Sequence, residues 1–498
     1  MKSGINLGDL LERAVALDPD SMALHCGDLS ESYAEFSGRV GRLAASFASF
    51  GVGFGDRVCV LSPNCHRVVE LYWALAILGA SAVPLEPRLT PDEITFIVDS
   101  TQPKAIVAAN WETLQIEVGF DYLEIDTEPL DDGRPNLDGL CAWNEYPSLT
   151  APVSPETPVL IMYTSAINGK PRGAVLTHRN LITQVSQTSD AFDLTVADTH
   201  GLLLPLSHTF GAYLMFVAMA RGIPTTVIRN FDSAEVVRQI DQGRISFFAE
   251  FAPMGQRILE AASDAKVTLA GKLRVVTGLE VPDTIARYVE GGVDFYCLYG
   301  QTETAGLVSA GKVSATSIAP NYSGKALSLS HLSLRDDQGI QVPLGEPGEL
   351  WVRSDCVVNS YWPDQPTSLT EDGWLKTGDL LSSEPHGELF FYGRIGARDL
   401  IKPGGLNVYP SEVEQVLLRH PNVTAALVFG TPDPTWREKV VAIVSVRDNP
   451  EGFDAELMSY ASQNLASFKR PKIIVVDQEL LMDGHVNTEQ IRAKYSGL

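Results

Sequence analysis

From Gly38 to Ala109 the chain alternates two hydrophobic rhythms. The run RVGRLAASFASF spaces its apolar residues three and four apart, as one helical face requires, whereas RVCVLS is a short apolar run of strand length. HRVVELYWALAILG predicts another helix, and SAVPL and AIVAA predict two more strands. Such alternation implies βα units on a largely parallel sheet. It pauses in a polar, Asp- and Pro-rich interval around Glu124 to Pro158 and then resumes. PVLIMY predicts a strand, Arg179 to Phe192 a helix, GLLLPL a strand and AYLMFVAMARG a helix, followed by strands at TTVI, ISFFAE, LRVVT and VDFYCLY. From Ser328 to Tyr392 the pattern changes to short β segments divided by turn signals (RDDQGIQVPLGEPGELWVR, EPHGELFFYG), which predicts a small antiparallel or barrel-like region. Beyond Arg398 follows a compact α+β pattern. The fold class is therefore α/β: layered βα sheets with a small β-barrel-like region over residues 1–397, and a small α+β domain over residues 398–498.

Length agrees with that division, since 498 residues exceed one small module. The charge narrows the function. With 38 Lys and Arg against 62 Asp and Glu the formal net charge is -24, which repels polyanions and argues against nucleic acid or an anionic membrane as partner. The acid is unevenly placed. Arg394 to Leu498 holds 12 basic and 13 acidic residues, net -1, so the part before it carries -24 minus -1, or -23. The six cysteines (Cys26, Cys59, Cys65, Cys141, Cys297, Cys356) include no C-x-x-C pair and read as reduced, mostly buried thiols. The first residues lack a signal-peptide pattern, and the most apolar stretch is interrupted by Gly79 and Pro84. A cytoplasmic protein with no membrane span is expected.

Five blocks hold candidate chemistry. Tyr163-Thr-Ser-Ala-Ile-Asn-Gly-Lys-Pro-Arg-Gly173 lies between a predicted strand and a helix starting near His178, where small residues and free N–H groups can cradle phosphate. It is not a Walker loop, and such a Ser/Gly-rich turn taken alone is more often a plain loop. Tyr299-Gly-Gln-Thr-Glu-Thr304 follows the apolar strand VDFYCL and sets an aromatic face, a hydroxyl and a carboxylate at a strand's C-terminal end, where α/β sheets bind ligands. Asp372-Gly-Trp-Leu-Lys-Thr-Gly-Asp379 and Gly393-Arg394 come next, and then Asp399-Leu-Ile-Lys-Pro-Gly-Gly-Leu-Asn-Val-Tyr-Pro-Ser-Glu-Val-Glu414.

Taken in this order, with Ser32-Tyr-Ala-Glu-Phe and LGASAVPLEP before them and FKRPK after, the blocks resemble the ANL superfamily of acyl-CoA synthetases, adenylation domains and firefly-type luciferases. The resemblance implies formation of an acyl-adenylate, transfer of the acyl group to coenzyme A, and a mobile C-terminal lid domain. It implies phosphate contacts at Thr164, Ser165, Gly169 and Lys170, and pocket walls at Gly278, Leu279 and Glu280. It implies an adenine contact at Tyr299 with Gly300 and Gln301 beside it, a phosphate contact at Thr302 and a Mg2+ ligand at Glu303. Asp379 matches the ribose-binding carboxylate, with Arg394 adjacent; its bland alternative is a turn cap. His208, in LPLSHTFG, matches a gate between acyl pocket and pantetheine channel, against the alternative of an ordinary core or surface histidine. Arg398 stands at the hinge, with Asp399 as the alternative because GRIGARDLIK is longer than the usual spacing, and Lys402, Gly404 and Gly405 belong to the loop that enters the site for thioester formation. Acyl selectivity is expected between Thr209 and Thr304, with Phe210, Phe251, Met254 and Leu279 as candidates.

The sequence departs from the pattern in two places. In the phosphate loop Ala166, Ile167, Asn168 and Arg172 replace the usual glycine, hydroxyl and lysine residues. In Leu481-Met-Asp-Gly-His-Val486, His485 takes the position of the C-terminal lysine, and no lysine lies between Lys472 and Lys494. Both departures bear on the ATP-dependent half-reaction. They point to an enzyme that takes a preformed acyl-adenylate and uses coenzyme A, with ATP and Mg2+ in question. This division of labour is similar to that of the non-adenylating CoA ligases of platensimycin and platencin biosynthesis, which implies a bulky terpenoid acid and a separate adenylating enzyme. A complete ATP-dependent acyl-CoA synthetase, a carrier-protein loader and a nucleotide-binding pseudoenzyme stay open as alternatives.

Overall fold

The computed structural model describes residues 4–111, 114, 116, 118–129, 133–142, 153–164, 171–314, 319, 321–363, 365–395, 401–406, 408–448, 452–482, 485–486 and 488–498. Among these, two large sheets organise the body of the protein. An eight-stranded sheet is built around Arg57–Leu61, Ser81–Pro84 and Ala105–Ala108, which pair in parallel as the βα rhythm predicts. A nine-stranded sheet is built around His200–Leu202, Phe247–Phe251, Val275–Leu279 and Asp294–Gln301, also parallel. The GLLLPL strand is shorter than the apolar run suggests, because the chain leaves the sheet after Leu202 to bring Pro205 to His208 to a helix start.

That helix, Thr209–Ala220, reads TFGAYLMFVAMA and is apolar all round, so it is stable only when enclosed. It is buried from Gly211 to Ala220, and its Phe216 meets Trp73 of the equally buried helix His66–Leu78 edge to face at 5.0 Å. Both helices share one core with residues of both sheets, and this core holds the first residue of Thr209–Ala220 in a fixed place.

Ser328 to Tyr392 forms a four-stranded antiparallel sheet, His331–Arg335, Gly348–Arg353, Leu375–Ser383 and Leu389–Arg394, the barrel-like region. The last hundred residues build their own cores on the sheet Val423–Asp433, Arg437–Val446 and Ile473–Val476, with the helices Pro410–Leu418 and Phe453–Asn464 packed on it. The expected boundary between residues 397 and 398 lies outside the described residues. All six cysteines are free and five are buried. No described helix is long and apolar enough to cross a membrane.

Candidate active site

A cavity of about 770 Å3 opens where the C-terminal ends of the parallel strands meet the four-stranded sheet and the small domain. Thr164, Leu279, Tyr299, Gly300, Gln301, Thr302 and Glu303 line it from the body. Asp379 and Arg394 line it from the four-stranded sheet, and His208 from the start of the buried helix.

Tyr299 to Gln301 end the strand Asp294–Gln301, whose register with Gly306–Lys312 shifts between Tyr299 and Gly300. Gly300 is required there, since a Cβ would lie 2.1 Å from the Gly306 carbonyl oxygen. The Tyr299 hydroxyl donates to Asp379 Oδ2 at 2.6 Å, and burial together with the Asp379 charge pushes that phenol well above its usual range. Asp379 faces Arg394 across the antiparallel pair Leu375–Ser383 and Leu389–Arg394, with 3.9 Å between Oδ1 and Nε. Aromatic ring, carboxylate and guanidinium therefore form one network, although eighty residues separate Tyr299 from Asp379. Below it, Thr302 accepts from or donates to the Thr209 hydroxyl at 3.1 Å, and Tyr361 donates to Glu303 Oε1 at 2.7 Å. The Arg172 guanidinium lies over the Tyr361 ring at 4.2 Å, which connects the strand after the phosphate loop to Glu303.

The small domain enters the cavity through Lys402, Pro403, Gly404, Leu406 and Tyr409. The Lys402 ammonium sits 4.6 Å over the Phe391 ring, and burial lowers its pKa from the ordinary lysine value. Gly404 has φ 57, and a Cβ there would stand 2.9 Å from both the Ala252 carbonyl oxygen and the Trp436 ring. Only glycine lets the two domains approach this closely. Gly405 completes the short 3-10 turn Pro403–Gly405.

The other expected residues differ in their placement. Gly278 stays within its strand, where a Cβ would meet the Glu250 carbonyl oxygen at 2.1 Å, so its role is close strand packing. Glu280, 3% exposed, does not face the cavity; its carboxylate accepts the backbone N–H of Gly255 at 3.1 Å and of Val281 at 3.1 Å and, with Glu250, caps the helix Met254–Asp264. Ser165, Gly169, Lys170, Arg398 and Asp399 lie outside the described residues. The backbone of His485 pairs with Met482 in a two-stranded hairpin beside the turn Gln478–Leu480 of its own domain. Thr164 lines the cavity and donates to the Arg172 carbonyl at 3.4 Å.

The cavity also contains residues to which the sequence reading gave no role. Glu86 comes from the LGASAVPLEP stretch, with Arg88 just after it, and Phe468, Arg470 and Lys472 from FKRPK; the motifs were legible as parts of a resemblance but carried no chemistry of their own. Lys439, Arg470 and Lys472 make the small-domain side of the mouth basic, in a chain of net charge -24. Phe210, Phe251, Met254 and Leu279 line an apolar part. Among the described residues no cluster of three His, Cys, Asp or Glu side chains forms a metal cage, so a divalent cation at Glu303 would need phosphate oxygens as further ligands.

Residues 11–362 match the family of AMP-binding enzymes, and residues 412–483 match the AMP-binding enzyme C-terminal domain. The chain is 28% identical over 491 residues to an indoleacetate–CoA ligase of Aromatoleum aromaticum, covering 96% of this chain and 95% of that one. It is 29% identical over 485 residues to a feruloyl-CoA synthase of Amycolatopsis sp, covering 96% of each. In fold it is similar to the o-succinylbenzoate CoA synthetase of Bacillus subtilis. A double mutant of that protein bound with a product analogue superposes with a TM-score of 0.82 at 24% identity, over 97% of this chain and 98% of that one. Its complex with an acyl-adenylate intermediate superposes with a TM-score of 0.69 at 24% identity, over 99% of each.

Proposed function

The chain belongs to the family of AMP-binding enzymes, within the adenylate-forming superfamily that includes the acyl-CoA ligases, and from that premise we propose that it mainly transfers an acyl group from a preformed acyl-adenylate to coenzyme A. Its own adenylation activity is weak or absent on this reading, and a separate enzyme supplies the adenylate. The observation that carries the split is the absence of lysine between Lys472 and Lys494, with His485 where a fixed positive charge would serve adenylation. Losing a charged transition-state contact costs about 3 kcal/mol or more, on the order of a hundredfold in rate. The substitutions Ala166, Ile167 and Asn168 in the phosphate loop support the same reading.

The cavity supplies what acyl transfer needs. Tyr299 offers a face to the adenine, the Asp379 carboxylate two acceptors to the ribose diol with Arg394 beside it, and Thr302 a hydroxyl to the phosphate. The acyl chain fits the apolar part around Phe210, Phe251, Met254 and Leu279. Attack of the thiol moves negative charge onto the acyl oxygen and then onto departing AMP, and the Lys402 ammonium in the cavity stabilises that charge. The basic mouth of Arg88, Lys439, Arg470 and Lys472 suits a polyanionic nucleotide thiol. Glu303 would hold Mg2+, whose chemistry is charge neutralisation at phosphate oxygens.

A second reading, a complete ATP-dependent CoA ligase, is favoured by the names of the relatives. The separating experiment supplies indoleacetate, ferulate and octanoate with ATP, Mg2+ and coenzyme A, and in parallel their synthetic acyl-adenylates with coenzyme A. Acyl-CoA from the adenylates alone is the expected result. Equal product from free acid and ATP overturns the split, and no product from either points to a nucleotide-binding pseudoenzyme.

A further inference from the structure

Glu86 follows the strand Ser81–Pro84, and the Leu85 N–H donates to the Val60 carbonyl at 2.9 Å, so the backbone that presents this carboxylate is fixed by the sheet. Its Oε1 accepts from Arg88 Nε at 2.6 Å and its Oε2 from the Ser207 hydroxyl at 2.8 Å. His208 Nε2 stands 3.3 Å from the same Oε2, at ion-pair distance without hydrogen-bond alignment. Burial alone would raise the Glu86 pKa, but His208 and Arg88 outweigh it and hold the carboxyl well below the usual range. The group is a fixed negative charge. His208 is equally constrained: it caps the buried helix Thr209–Ala220, and its backbone N–H donates to the Pro205 carbonyl at 3.0 Å.

The ring has two distinct edges. Nε2 is buried against Glu86, while 34% of the side chain is open and lines the cavity. Nδ1 is the ring nitrogen that Glu86 does not face. A carboxylate at ion-pair distance from Nε2 favours the proton on that nitrogen and leaves Nδ1 as the ring's lone pair. The next residue, Thr209, is hydrogen-bonded to Thr302, the expected phosphate contact, and Arg88, which pairs with Glu86, lies over Phe468 of the small domain, so His208 lines the cavity between residues of both groups in sequence and packing. Several charged groups share the cavity: Arg88, Arg229, Glu303, Asp379 and Arg394 from the body, and Lys402, Glu438, Lys439, Arg470 and Lys472 from the small domain. Among the described residues, Glu86 is the carboxylate at ion-pair distance from His208.

We infer that Glu86 and His208 form a carboxylate–imidazole dyad that takes the proton of the attacking thiol. The inference rests on the acyl-transfer reading above. As the C–S bond forms, the S–H bond breaks toward Nδ1, and the acyl C–O bond to phosphate breaks with its electron pair leaving on AMP. The imidazolium then faces Glu86 until its proton passes to water. His208 is the catalytic residue and Glu86 the positioning residue that sets its tautomer.

The test is single-turnover formation of acyl-CoA from indoleacetyl-, feruloyl- or octanoyl-adenylate and coenzyme A between pH 6 and 9.5. It compares the unaltered protein with Glu86→Gln, His208→Ala and the double variant. Binding of the matching acyl-sulfamoyl adenosine shows that each variant is folded. The expected profile of the unaltered protein rises to a plateau with one ionisation. Glu86→Gln lowers the plateau about ten- to a hundredfold, with the KM for coenzyme A changed less than about threefold. His208→Ala loses the imidazole limb, the double variant is no slower than His208→Ala, and added imidazole restores rate to His208→Ala alone. An unchanged rate and profile in Glu86→Gln, or additive losses in the double variant, overturns the dyad. No acyl-CoA from the unaltered protein with any adenylate overturns the acyl-transfer reading and the dyad with it.

Discussion

Two segments of the small domain stand in contrast. Lys402, Pro403, Gly404, Leu406 and Tyr409 line the cavity, with the Lys402 ammonium over Phe391 and Gly404 against the Ala252 carbonyl. The hairpin Leu481–Met482 and His485–Val486 folds instead beside the turn Gln478–Leu480 of its own domain. The domain is also fastened in this orientation. Lys469, 3% exposed, donates to Glu93 of the body at 2.6 Å and to Glu412 of its own domain at 2.5 Å, and Arg88 lies over Phe468 at 5.2 Å. The first segment carries Lys402 and the left-handed Gly404; the second carries His485, in a stretch with no lysine between Lys472 and Lys494, and on the reading proposed above the two serve acyl transfer and adenylation respectively.

That contrast can be broken by substitution. Lys402→Ala should have the largest effect, a loss of about a hundredfold in acyl-CoA formation from preformed adenylate. His485→Ala in the same assay should stay within about twofold, since a histidine is no fixed charge near pH 7; equal losses in the two variants would erase the contrast. Asp379→Asn removes the charged acceptor of Tyr299, and hydrogen bonds to charged groups contribute about 1.5–3 kcal/mol, so adenylate affinity measured by calorimetry should fall roughly ten- to a hundredfold. Gly404→Ala pays for a left-handed backbone about 1–2 kcal/mol, besides the overlap with Ala252 and Trp436. It should slow thioester formation about tenfold while leaving adenylate affinity unchanged. Lys469→Met leaves the Glu93 and Glu412 carboxylates facing each other without their cation, so it should loosen the seating of the small domain and raise the KM for coenzyme A a few-fold.

The sequence made the elements that obey a single period easy to read. RVCVLS, HRVVELYWALAILG and VDFYCLY are each close to the element found, because burial of one continuous apolar run leaves the chain little choice. GLLLPL misleads by length, since its second half is apolar for the cavity wall rather than for the sheet. Within the site, Tyr299, Thr302, Asp379, Arg394 and Lys402 were legible from local motifs and share one cavity. Glu280 was read as part of that wall, but it stands just past the strand Val275–Leu279, and its carboxylate caps a helix behind the wall while Leu279 faces inward. Glu86 had no local mark. Its meaning comes from His208, which lies beyond it by more than a hundred residues and reaches it only through the packing of the helix Thr209–Ala220.

The most direct measurement is the ratio of the two half-reactions in one preparation: ATP–pyrophosphate exchange driven by the free acid, against single-turnover acyl-CoA formation from the matching acyl-adenylate. Acyl transfer faster than exchange by about a hundredfold or more is the result the account requires, the size of one missing charged contact. Exchange as fast as acyl transfer would contradict it and return the chain to the complete CoA ligases.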